Sequence, residues 1–208
     1  MEVAELAPGL WSWTATQVRC FYVEADDATI VVDPLVPADE ADRFWHALDR
    51  DVERRARPVA VVLTHAAHVR SAGVVAKRYA ADIWGHEYAR PKIGGATFHA
   101  LSPGDAAPGG ARVLPFDQEP DGSGTPLYFP GHAALAVGDV FISVDGELRV
   151  WWAHGASTGN WYEERLLPSL RSWLELPIEH VLVAHGEQVT GGRDAIAAAL
   201  EREPYELE

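Results

Sequence analysis

Two stretches of this chain share one pattern: a β-branched apolar run that ends abruptly at a histidine. The first is VAVVLTHAAH, residues 59–68, and the second is VLVAHGEQ, residues 181–188. A run without polar alternation is the mark of a strand buried on both faces, so each needs a layer above and below it. Two more apolar runs, IVVDPL and LAVGDVFI, stop in the same way at Asp33 and Asp139. Polar side chains at the ends of buried strands converge on one sheet edge, where loops carry function on a rigid frame. Histidine and aspartate in that position are suitable zinc or iron ligands.

The segments between these runs supply the other layers. RCFYVEA and ATIVVD are strands separated by Asp26-Asp27, a hairpin turn. ADEADRFWHALDRDVERRA carries Phe44, Trp45 and Leu48 at helical spacing, with acidic residues near its start. VRSAGVVAKRYA returns to a helix after the first histidine run. From about residue 98 to 152 strands return, broken by the loop-prone stretches SPGDAAPGG and EPDGSGTP. NWYEERLLPSLRSWLEL reads as a helix interrupted at Pro168, and GGRDAIAAALEREPYE as a C-terminal helix. The order is strands, helix, strand, helix, and then the same again. It predicts an α+β fold, a four-layer αββα sandwich of two mixed sheets with helices on the outer faces. A single domain over 1–208 is expected, with two pseudo-symmetric halves at roughly 1–97 and 98–208.

Composition removes several function classes. A formal net charge of −14 disfavours nucleic acid and anionic membrane surfaces, which both require basic patches. No apolar run is long enough to span a bilayer. The N-terminus MEVAELAPGLWSW lacks a basic segment followed by an apolar one, so a cytoplasmic location is expected. Cys20 is the sole cysteine, which excludes an intramolecular disulfide and limits cysteine to one metal ligand. The expected partner is a small molecule.

In order and interval, IVVDPL, LTH, VGD and AHGEQV resemble the metallo-β-lactamase superfamily over nearly the whole chain. That resemblance implies the αββα sandwich of binuclear metallohydrolases. It also implies a first motif Thr-His-x-His-x-Asp-His, then a lone histidine, an aspartate in Gly-Asp and a histidine in a final His-Gly turn. Laid on Thr64-His65, the first motif puts Ala67, Val69 and Arg70 where two histidines and an aspartate belong. His68 is one residue out of step, and either points elsewhere or reaches in as a displaced ligand. His132, in Pro-Gly-His, lies seven residues before Asp139 and reads as a hairpin-turn residue instead of the lone histidine. The position of the lone histidine falls near Pro120, and Glu119 or Asp121 is a candidate replacement.

The ligands left in register are His65, Asp139 and His185. They suit at most one divalent metal (zinc, iron or manganese), and a metal-free site is the other option. A two-metal mechanism lacks the donors it needs. Arg70 is expected to fill part of the vacated site and pair with Asp139, replacing metal charge with a guanidinium that stays ionised. Asp33 is expected to accept hydrogen bonds around the Thr64 turn. Trp151, Trp152 and His154 are expected near the pocket mouth, with Trp11 and Trp13 also bordering the cleft. Two functions follow. One is a divergent hydrolase-like protein acting with water on a small ester, thioester, lactone or amide. The other is a non-catalytic binding module that keeps the pocket.

Overall fold

The N-terminal strands form a meander because short polar turns separate runs of β-formers. These strands are β1 (Glu2–Ala7), β2 (Leu10–Ala15), β3 (Val18–Glu24) and β4 (Thr29–Val32), each antiparallel to the next. Asp26 and Asp27 lie in the turn between β3 and β4, as their residue types predict. In the computed structural model the described residues are 1–118, 122–152 and 161–206, with only the backbone of Trp152 included.

Helix α1 (Ala41–Arg55) then carries the chain to β5 (Val59–Val62), which lies parallel to β4. It buries Phe44 and Leu48 on one face and ends at Ala56, which adopts a left-handed conformation. Helix α2 (Ala72–Tyr79) leads to β6 (Asp82–Gly85), and β7 (Phe98–Ala100) completes a seven-stranded sheet in sequence order. The last three strands are parallel to one another.

The second sheet comprises β8 (Ala106–Ala107), β9 (Ala111–Val113), β10 (Leu127–Phe129), β11 (Ala134–Gly138) and β14 (His180–Val183), in the order β14-β11-β10-β9-β8. Beside it, β12 (Phe141–Val144), β13 (Glu147–Trp152) and β15 (Tyr205–Glu206) form a three-stranded sheet. The stretch around Pro168 is not one helix. A π turn over Tyr162–Leu166 runs into α3 (Leu167–Arg171) and then a 3-10 turn over Ser172–Glu175. Pro168 stands at the start of α3, directly after the π turn, so its missing N–H falls where the regular α-helical ladder is already interrupted. Helix α4 (Gly192–Ala199) follows β14.

Three apolar clusters define the layers. Phe21, Ile30, Val32 and Val62 of the first sheet meet Leu127, Phe129, Ala136 and Leu182 of the second in the central cluster. Alternate residues of the first sheet, among them Tyr22, Val31 and Val61, pack outward on Phe44 and Leu48 of α1 and Val75 of α2. On the opposite side Leu135, Val137 and Val181 pack on Leu170 of α3 and Ile196 of α4. Helix, sheet, sheet, helix is therefore the layer order, the αββα sandwich expected from the alternation of elements. Among the described residues no helix is long and apolar enough to cross a membrane.

At one end the two sheets are joined directly. Val18 forms a β-bridge with His185, and the Arg19 N–H donates to the Ala184 carbonyl at 2.9 Å. A second bridge joins His65 to Gly124, and the Thr125 N–H donates to the Thr64 carbonyl at 2.7 Å.

Candidate metal centre

The site lies at this joined end, where β4, β5, β11 and β14 stop. Asp33 follows β4 in a left-handed conformation (φ 48°) that turns its carboxylate across to the end of β5. It is 1% exposed and accepts the Thr64 N–H at 2.8 Å, the Thr64 hydroxyl, and His68 Nδ1 at 3.0 Å. The chain turns tightly after His65, with the His68 N–H donating to the His65 carbonyl at 2.9 Å. That turn rotates His68 inward, although it is out of step with the motif. His68 thus reaches into the site, and it is buried.

Asp139 follows Gly138 at the end of β11 and meets three imidazoles. His68 Nε2 lies 3.1 Å from Oδ1, His185 Nε2 lies 3.4 Å from the same oxygen, and His65 Nδ1 lies 3.5 Å from Oδ2. Oδ1 is nevertheless a buried oxygen without an aligned hydrogen bond. Burial opposes charge on His68, but Asp33 and Asp139 outweigh it and lift the imidazole to about 9. Burial alone would raise the Asp139 carboxyl, and the approaching His185 and His68 instead hold it well below the usual carboxylate range. For His65 burial prevails and lowers its pKa.

Donor atoms of His65, His68 and Asp139 all lie within 4.8 Å of one another, which makes them the candidate metal-holding group among the described residues. His185 was expected in this set; it stands at the edge, touching Asp139 and packing its ring 5.6 Å from that of His68. The donors suit a borderline divalent cation. They comprise two imidazoles and one carboxylate whose Oδ1 is orphaned, with a buried aspartate behind one imidazole.

The expected pairing of Arg70 with Asp139 does not form. Arg70 takes a left-handed backbone (φ 37°), and its Nη1 donates to the Asp33 carbonyl at 3.2 Å, close to the Cys20 thiol. Three histidines already meet the Asp139 charge, so no guanidinium is required there. Trp11 and Trp13 also lie elsewhere. They pack on the α1 side of the first sheet, where Trp13 Nε1 donates to the Leu35 carbonyl. His132 Nε2 contacts the Glu24 carbonyl at 2.9 Å, in the turn between β10 and β11. Trp151 does border the site, its ring 5.2 Å from that of His185 and edge-on to it. The Trp152 side chain, His154, Glu119 and Asp121 lie outside the described residues.

Sequence reasoning missed Ser123. Its Oγ lies 3.1 Å from His65 Nε2, delivered by a turn that Gln118 clamps through two hydrogen bonds to Gly124. The Ala67 N–H donates to His65 Nδ1, the same ring nitrogen that faces Asp139. Phe116, Gln118, Ser123, Asp139, Trp151 and Trp161 line a cavity of about 160 Å³ against this cluster. Only GSG in a loop-prone stretch hinted at Ser123, and its contact depends on a bridge between distant strands.

The family model for the metallo-β-lactamase superfamily matches residues 13–150, and the chain belongs to that superfamily. Among solved structures it is similar to DIM-1 metallo-β-lactamase exposed to ceftazidime, at 13% identity over 96% of each chain with a TM-score of 0.66. A β-lactamase domain protein from Burkholderia ambifaria matches at 18% identity, 95% of this chain and 71% of the other, with a TM-score of 0.65. The flavodiiron protein from Giardia intestinalis matches at 15% identity, 97% of this chain and 58% of the other, with a TM-score of 0.64. At these identities the likeness is one of fold. No curated protein matches significantly.

Proposed function

We propose that this chain is a hydrolase-like protein using one divalent ion, held by His65, His68 and Asp139 with His185 at the edge. Its substrate class is a small ester, thioester, lactone or amide. The observation that carries this reading is the approach of His68 Nε2 to Asp139 Oδ1 at 3.1 Å. Asp33 holds the proton on His68 Nδ1, so a neutral His68 turns a lone pair toward a carboxylate oxygen. Two acceptors facing each other at that distance call for a cation between them.

When bound, such an ion supplies Lewis-acid polarisation of a carbonyl and acidification of water. The chain's own residues supply the rest. Asp33 fixes the tautomer and direction of His68, Ser123 holds the His65 ring at Nε2, and Trp151 packs edge-on against His185. Arg70 anchors the Asp33 carbonyl from behind.

The same geometry favours one other reading. If the cation is a proton, His68 is an imidazolium between two carboxylates and the pocket is a metal-free binding site. Metal content of the protein purified without chelator separates the two. Stoichiometric zinc, iron or manganese that is lost in His68→Ala supports the hydrolase. Absence of metal after incubation with each of the three ions overturns it.

A further inference from the structure

The geometry points to a substrate whose inserted group carries no negative charge and is about the size of a benzene ring. This deepens the hydrolase reading and takes the cavity as the substrate end of that site. It opens to solvent, and its volume, about 160 Å³, has room for a benzene-sized group. Three aromatic side chains, Phe116, Trp151 and Trp161, form its walls. Flat apolar walls favour a ring or a compact branched alkyl group over an extended polar chain.

Two polar side chains of the cavity are already engaged. Both ends of the Gln118 amide are held by Gly124, and Ser123 Oγ is held by His65. No lysine or arginine lines the cavity among the described residues, and the sequence has none at 119–121 or 153–160. The basic side chains nearby are committed elsewhere. Arg70 lies behind Asp33, Arg165 pairs with Asp117 at 2.7 Å, and Lys92 donates to the Ala66 carbonyl. A carboxylate entering here would lose its water, meet Asp139 and find no fork to replace its hydration.

The test uses the full chain stripped of metal by a chelator, titrated with benzyl alcohol and benzoate and followed by ligand-observed NMR. Benzyl alcohol is expected to bind about tenfold or more tightly than benzoate. Benzoate binding as well as the alcohol overturns the proposal, and so does failure of the alcohol to bind. Trp151→Ala and Phe116→Ala act on separate walls, and either folded variant should weaken benzyl alcohol about fivefold or more. Unchanged affinity in a folded variant overturns the assignment to this cavity. Because the protein is stripped, this result stands or falls without the metal, while metal content of the untreated protein reports on the hydrolase reading alone.

Discussion

Asp33 touches no solvent, yet it sets the orientation of two neighbours, Thr64 and His68. Replacing it with asparagine keeps the shape and removes the charge that holds the His68 proton on Nδ1. Asp33→Asn should therefore weaken zinc binding about 10–100-fold, measured by competition with a chromophoric chelator. Thr64→Val leaves the same carboxylate short of a donor inside the protein and should cost about 1–3 kcal/mol in urea unfolding. At this scale the sequence was half legible. Buried runs ending at His65 and Asp139 marked both residues, because a strand end can be read from its hydrophobic pattern. His68 could not be placed, because its direction depends on a tight turn with Arg70 in a left-handed conformation. The pattern that displaced His68 also made Arg70 look like its substitute, and Arg70 turned out to lie behind the site.

Two strand ends owe their geometry to glycine. Gly138 (φ 57°) precedes Asp139, and a Cβ there would meet the Thr64 carbonyl oxygen at 2.7 Å. Gly186 (φ 85°) follows His185, where a Cβ would collide with the Ser143 carbonyl oxygen. In both places an L side chain meets an unfavourable backbone conformation and a neighbouring strand at once. Gly138→Ala should lower stability by more than ~1 kcal/mol and weaken metal binding in the same variant, because the Asp139 turn must move. Urea unfolding and chelator competition on one preparation check both effects; loss of stability with unchanged metal affinity would show that Asp139 is placed independently of this turn. The strands and helices themselves were legible from hydrophobic period and from turn residues such as Asp26 and Asp27. The pairing of residues 123–125 with 64–66 was not, since it joins segments nearly sixty residues apart without a local signal.

Across the molecule, burial keeps several acids in their neutral form. It is the leading cause that raises Cys20, Tyr22 and Tyr162 to about 12, from ordinary values of 9.0 for the thiol and 10.0 for the phenols. A raised folded-state pKa adds stability that is fully present below the unfolded value and is lost as pH climbs toward the folded one. The urea midpoint should therefore hold steady up to about pH 9 and decline toward pH 12. The buried thiol should also resist aromatic disulfide reagents until the protein unfolds.

The contributors to the site come from opposite sheets: Asp33, His65 and His68 from the first, Asp139 and His185 from the second. A ligand gripped by both sets acts as a clasp across the sandwich, and neither half can melt while it stays in place. At a free concentration of about 100 Kd, such a clasp would add about 2.7 kcal/mol to the unfolding of the whole chain. Thermal shift on ligand addition thus becomes a gauge of how firmly the two leaves are fastened.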